Sequence, residues 1–415
     1  MTRAVAVGCL LAAVASSAAG PWPRFRGPNG SGICEDAHIP LRFGASENLL
    51  WQVAIPGSGN GSPVVWGERV FLQTAASDGS DRRLLCLHSR SGKLLWEHRE
   101  KAQPAHAHRK NTLASSTPAV DKDRVCVVFW DGSGLSLHAF THDGKTLWKH
   151  PLGSFASQHG AGHSPILHDD VCIVVNDQDG AACVYALDAR TGDLLWRMDR
   201  PAFRACYSTP VIRETASGET EVIVASTAGV SGYRLKDGSE NWRWTWHFAR
   251  APLRTVGSPV LGKEMVFATS GDGAGDRHAV ALRLGGKGDV TGSALVWESH
   301  RLFSYVPTML VHGEHLYFVN DNGIAACFEA ATGKSLWTQR IGGNVSASPI
   351  LVNGSLYAAT EEGEVVVFAA DPASYRELAR NALDDPIFAT PAVADGRLYV
   401  RTRRYLFCFG KPEDR

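Results

Sequence analysis

Neither charge predominates in this sequence: Lys+Arg and Asp+Glu are both 42, so the formal net charge is zero. The basic excess that would steer a chain to nucleic acid is missing, as is an acidic run that would keep a tail solvated. After the N-terminus, no apolar run approaches the ~18 residues of a membrane-spanning helix. Adjacent cysteines do not occur, and neither does Cys-x-x-Cys-His, which excludes a covalently attached c-type haem. A Gly-x-Ser-x-Gly elbow between strand and helix is absent, so acyl transfer lacks its nucleophile. The Gly-rich stretch Gly57–Ser62 leads into an apolar strand rather than a helix. It therefore reads as a flexible connection and not as a phosphate-cradling loop.

What the sequence does contain is glycine, at 42 residues, and tryptophan, at 12, with 44 % apolar residues to build a large core. At 415 residues a chain often divides into two or three domains, although single β-domains exceed that rule. The first segment reads as a signal peptide over residues 1–19. Arg3 is followed by an apolar stretch from Val5 to Ala15, then by the small residues Ser17, Ala18 and Ala19. An alternative would acylate Cys9 behind Ala6-Val7-Gly8, but the apolar stretch before it is very short. The cleaved form places the mature chain, from Gly20, in the periplasm or outside the cell. No transmembrane segment is expected, and a monomer is.

Loss of Cys9 leaves eight cysteines, an even number that in an exported chain invites disulfides. Cys86 and Cys327 each lie six residues before a glycine, Gly92 and Gly333, and Ala186 holds the same place before Gly192. Cysteine alternating with alanine reads as a small buried residue. Cys172 and Cys183 flank the turn Asn176–Gly180 and are the best disulfide candidate.

A unit beginning with proline recurs eight times, at Pro63, Pro118, Pro165, Pro210, Pro259, Pro307, Pro349 and Pro391. Apolar runs and Gly/Asp turns follow, as in "SPVVWGERVFLQT" and "TPAVADGRLYVRT", which is a hairpin signature. A second marker is a glycine turn before an apolar-Trp strand. It ends at Trp96, Trp148, Trp196, Trp242, Trp297 and Trp337, with Leu378 in that place in the seventh unit. Four short strands in about 40–50 residues match a propeller blade. The eighth proline unit has no Trp strand after it, and the strand carrying Trp51 has no proline unit before it. Joining the two closes an all-β, eight-bladed propeller and leaves no open edge. The boundaries expected are a leader over residues 20–46, the propeller over 47–409 and a tail over 410–415.

The blade pattern "LDARTGDLLW" and its copies resemble the PQQ-type (quinoprotein-like) propeller repeat. "WPRFRGPNGSG", "NTLASSTPAV", "QHGAGHSPIL", "FRACYSTPVI" and "GKGDVTGSALVW" resemble an exported bacterial subgroup common in planctomycetes. The family holds quinoprotein alcohol and glucose dehydrogenases. It also holds noncatalytic propellers, among them the lipoprotein subunit of the outer-membrane barrel-assembly machinery. The dehydrogenases imply bound PQQ, a divalent cation and a carboxylate base. In the larger ones a vicinal Cys-Cys disulfide and a Trp sandwich the cofactor. That cysteine pair is absent here, and no Glu/Asn/Asp metal set can be assigned. The expectation is a noncatalytic scaffold for a protein or an extracytoplasmic ligand, without cofactor or metal. A PQQ-dependent oxidoreductase and a carbohydrate-binding propeller are the alternatives.

Polar clusters precede successive blades: His106, His108, Arg109, Lys110 and Asn111; His159 and His163; Arg204 and Tyr207; Arg254; and Phe303 with Tyr305. Segments leading into first strands converge on one end of a propeller channel. Such residues could hold an anionic or polyhydroxylated ligand. Taken one at a time, each is better read as satisfying local hydrogen bonds. Zinc on His106/His108 or His159/His163 lacks helical context. The turn Asn176–Gly180 lacks the distal Glu of a calcium loop.

Overall fold

The computed structural model describes residues 20–35, 39–248 and 250–411. The segment expected to be a signal peptide, with Cys9, and the last residues of the expected tail lie outside them. Eight four-stranded antiparallel sheets follow one another around a ring. Blade one runs from Val64–Trp66 to Leu94–Lys101 and blade two from Ala119–Val120 to Thr146–Ser154. Blade three runs from Ile166–His168 to Leu194–Arg200, and blade four from Val211–Glu214 to Glu240–Thr245. Blade five runs from Val260–Leu261 to Leu295–Ser299, and blade six from Leu310–His312 to Ser335–Arg340. Blade seven runs from Ile350–Val352 to Glu377–Ala382. Blade eight takes three strands from the C-terminus, and Leu49–Ala54 pairs antiparallel with Tyr405–Phe409 to complete it. Among the described residues no helix is long and apolar enough to cross a membrane.

The tryptophans lock the ring. In every blade but the seventh a bulge lifts one residue of the outer strand, and the next residue is the Trp, facing a small residue of the third strand. Cys86 faces Trp96, Ala139 faces Trp148, Ala186 faces Trp196, Cys327 faces Trp337 and Cys408 faces Trp51. The alternation of cysteine and alanine is thus a volume constraint beneath an indole. Each indole then reaches the following blade. Nε1 of Trp148 donates to the carbonyl of Ala189 at 2.9 Å, and Trp196 donates to that of Leu235 at 2.7 Å. Trp51, Trp96, Trp297 and Trp337 do the same. The repeat glycine covers the ring: a Cβ on Gly192, at φ +79°, would lie 2.6 Å from Trp148. Only glycine combines that dihedral with that approach. Trp242 departs from the rule and donates to Glu221 of its own blade at 3.0 Å. The next turn is longer there, and its short strand Gly288–Asp289 pairs with Trp242 and Arg243 instead.

Three expectations need correction. In blade seven the bulged residue is Leu378, so Ala379 occupies the Trp position, opposite Val367. A larger partner is tolerated where the indole is gone. In blade six the unit is offset by one residue. Thr308 takes the place that Ser or Thr holds before proline elsewhere, and Met309 takes the proline's. The proposed disulfide is not formed. Cys172 stands opposite Leu187 and Cys183 opposite Asn176, and both are free thiols. Four residues of register, about 13 Å of strand, exceed the ~4.4–6.8 Å Cα span of a disulfide.

The leader packs into this frame. Trp22 bridges Val65 of blade one, Asn29 exchanges hydrogen bonds with Ile212 of blade four, and Ile33–Cys34 pairs with Ile350–Val352 of blade seven. Arg24 reaches the carbonyl of Pro210 and Arg26 that of Met309. Since first strands of adjacent blades touch one another around the centre, the leader crosses the channel. Further along, Phe43 packs on Phe409 with ring centroids 4.6 Å apart and stacks on Tyr357. It supplies an aromatic at the seam where blade seven has Ala379.

Candidate functional site

The first strands are entered through a Ser/Thr immediately before the proline position, and these residues bond to one another in a belt. The amide of Ser62 donates to Thr117 Oγ1, and that of Thr117 to Ser164 Oγ. Thr209, Ser258, Thr308 and Ser348 each donate to the hydroxyl of the next blade. Thr390 joins the last blade to the first through Ser62 Oγ at 3.1 Å, and among the described residues the belt is interrupted only between Ser164 and Thr209. Every amide in this belt is buried, so each link removes an unsatisfied donor. The belt was legible as the small polar residue before most of the prolines, although the bonding between blades was not.

Above the belt lies a cavity of about 630 Å³, lined by segments from all eight blades and by Phe25 of the leader. Of the sequence candidates, His108, Arg109, Lys110, Asn111, His159, Tyr207 and Tyr305 line it. The rings of His108 and His159 lie 4.8 Å apart, and Asn111 Nδ2 donates to the carbonyl of His159 at 2.8 Å. Lys110 Nζ meets Glu361 Oε1 at 2.7 Å, tying the entry of blade two to a hairpin of blade seven. Tyr207 donates to the carbonyl of Gly160 at 3.0 Å and contacts Ser157 Oγ at 2.7 Å.

The other candidates do not reach the cavity. His106 is exposed and absent from its wall. His163 is buried, with Nε2 3.2 Å from the carbonyl oxygen of Asp177 and its ring against Phe155. Arg254 is buried and donates to the carbonyl of Ala205, while Arg204 donates to that of Pro252. Phe303 belongs to the core shared with Phe318 and Phe328. His163, Arg204 and Arg254 thus make backbone hydrogen bonds within the ring, and Phe303 is core. The cavity adds residues that were not singled out: Asp272, Arg277, Asp321, Asn322 and Asn344, from the hairpin tips of blades five and six and the entry to blade seven. Their only sequence signal is the Gly/Asp/Asn turn that every hairpin shares.

Electrostatically the cavity is a site of donors. Burial, and then the Arg254 charge, lowers His159 to about 4, and burial lowers His108 as well. Both imidazoles are therefore neutral at physiological pH, each with one donor and one acceptor nitrogen. Burial pushes Tyr207 up to about 12, so its hydroxyl stays protonated. Arg109, Lys110 and Arg277 are the cations of the wall. The two carboxylates there are engaged. Asp321 accepts the amides of Tyr305 and Val306 at 2.7 and 3.0 Å, and Asp272 Oδ1 accepts three amides of its own turn.

This chemistry can be tested against PQQ and its cation. The wall includes no Trp and no cysteine, and its two carboxylates accept backbone amides rather than forming a converging set. The residues present do not fit a cofactor sandwich with a carboxylate-held divalent ion.

The family model described as outer membrane protein assembly factor BamB matches residues 44–158, 110–339 and 321–409. Polyvinylalcohol dehydrogenase of a Pseudomonas species is 27 % identical over 236 residues, 47 % of this chain and 35 % of that protein. BamB of Shewanella oneidensis is 25 % identical over 161 residues, covering 37 % of this chain and 38 % of that protein. The matches thus span little more than a third of these two relatives' length. A europium-containing methanol dehydrogenase superposes with a TM-score of 0.72 at 11 % identity, over 94 % of this chain and 98 % of that one. BamB from Moraxella catarrhalis superposes with a TM-score of 0.63 at 13 % identity, over 88 % and 99 %. At such identities the superpositions speak to fold alone.

Proposed function

The chain belongs to the PQQ-type propeller family described as outer membrane protein assembly factor BamB, and we propose that it is an exported, noncatalytic binding scaffold. Its occupant is a segment of a partner protein or a small extracytoplasmic ligand, held at the cavity above the hydroxyl belt. The observation that carries this reading is the wall itself. Eight rigid blades each contribute one entry segment, and the resulting surface is rich in donors while its carboxylates are already engaged. Loops on a rigid frame are where binding surfaces concentrate. Protonated Tyr207, neutral His108 and His159, and Arg109 beside Lys110 suit carboxylate, phosphate or hydroxyl groups.

Copurification from the native host followed by mass spectrometry tests the proposal, with Lys110→Glu/Tyr207→Ala protein beside the wild type. A species retained by the wild type and lost from the variant supports it. Two further arms separate the alternatives. Saturable binding of PQQ in an absorbance titration, with dye-linked alcohol turnover, would overturn the noncatalytic reading. Selective signals on a glycan array would make the ligand a carbohydrate.

A further inference from the structure

Among the described residues, away from the channel, two clusters join imidazoles to a carboxylate: His98, Glu100 and His138 between blades one and two, and His278, Glu298 and His300 on blade five. They differ in one respect. In the first, the ammonium of Lys149 lies against Glu100 and already supplies the positive charge. In the second, no Lys or Arg among the described residues pairs with Glu298, and both imidazoles turn Nε2 toward the same carboxylate oxygen. His278 Nε2 is 2.9 Å from Glu298 Oε2 and His300 Nε2 is 3.9 Å from it.

The strands explain the convergence. Val280 stands opposite Glu298 and Ala279 opposite Ser299, so the register continues to place His278 opposite His300. Residues 278, 298 and 300 share one face of the sheet because side chains alternate along a strand. His278 is almost fully buried against Trp246 of blade four, with ring centroids 4.8 Å apart. This fixes one ligand rigidly, while Glu298 and His300 remain open to solvent. The rings of His278 and His300 lie 4.2 Å apart, a close approach for two groups that would repel if both were protonated.

We propose that His278, Glu298 and His300 form a binding site for a divalent transition-metal ion of the zinc class, on the outer part of blade five. Two neutral imidazoles and one carboxylate are a known zinc donor set, with a fourth position left for water. Zinc–ligand bonds of about 2.0–2.1 Å in a tetrahedron put ligand atoms about 3.3–3.4 Å apart. The 2.9 Å pair must open by about 0.4 Å and the 3.9 Å pair close by about 0.5 Å, within side-chain rotation for the exposed Glu298 and His300. Burial lowers His278 from its ordinary value, which favours the neutral imidazole. The site stands apart from the channel cavity, and its failure would leave the proposed scaffold role untouched.

Tag-free protein freed of metal with EDTA is titrated with Zn²⁺ by calorimetry and with Co²⁺ by visible absorbance. The expected result is one ion per chain, with the intense visible bands of tetrahedral Co²⁺. His300→Ala and Glu298→Gln should each weaken Zn²⁺ binding at least about 100-fold, whereas His98→Ala should leave it unchanged. Thermal melting in EDTA checks that the variants fold. His300 is exposed, so its removal should not disturb the blade. Absence of saturable binding by the wild type overturns the proposal. So does binding that survives His300→Ala, or that disappears with His98→Ala.

Discussion

Replacing Trp148 by Ala removes an indole that is 8 % exposed, and with it the contact between blades two and three. An indole of ~150–250 Å² at ~25 cal/mol/Å² corresponds to a gross ~4–6 kcal/mol. Measured Trp-to-Ala losses in cores run about 3–5 kcal/mol. The carbonyl of Ala189 also loses its donor, worth about 1 kcal/mol. The expected loss is therefore about 4–6 kcal/mol. Trp148→Phe keeps most of the apolar area and should cost only about 1–2 kcal/mol. Gly192→Ala places a Cβ 2.6 Å from the ring at φ +79° and should cost several kcal/mol through clash and strain together. In the double variant the ring is gone, so only the strain remains. It should be more stable than the sum of the single variants implies by at least about 1 kcal/mol. Urea unfolding followed by far-ultraviolet circular dichroism measures all four chains. Simple additivity, or a Phe variant as unstable as the Ala one, would refute the docking of Trp148 beneath Gly192.

Three further outcomes follow from the same physics. Burial lowers His163 from 6.5 to about 4 in the folded chain. Between those values the unfolded chain binds more protons, so stability falls as pH drops through that window, by up to about 3 kcal/mol for this residue, and His163→Gln should flatten the slope of urea midpoints against pH. Ser62→Ala removes the acceptor of the buried Thr390 amide where the first and last blades meet, and should cost about 1–2 kcal/mol by urea unfolding. Phe43→Ala should cost about 3–5 kcal/mol in the same assay, whereas Phe203→Ala, at a residue 61 % exposed, should stay within about 0.5 kcal/mol.

The site was only partly visible beforehand. His108, Lys110, Asn111, His159, Tyr207 and Tyr305 were recognisable because they sit just before a blade's first strand, and that position leads to the channel. His163 and Arg254 occupy similar positions, yet their side chains turn into the blade packing. One residue of offset in an extended segment reverses the direction of a side chain, and sequence position does not record it. Asp272, Arg277 and Asp321 come from hairpin tips of blades five and six, and only the curvature of the ring brings them to blades two and three.

By itself the sequence determined the repeat. Eight units, a tryptophan strand in most of them and complementary ends follow from periodicity and from glycine turns, which are local properties. The small residue under each indole was also readable, since Cys86, Ala186 and Cys327 stand at one fixed distance from the repeat glycine. Tertiary structure decided the rest. A one-residue bulge moved the Trp position of blade seven from Leu378 to Ala379, and strand register kept Cys172 and Cys183 apart. Ring closure alone drew the hydroxyl belt, the cavity and the leader across the channel together. Those contacts join residues separated by up to 340 positions, as Arg401 with Gly61. No local pattern encodes such a distance, because it depends on the summed rotation of all eight blades.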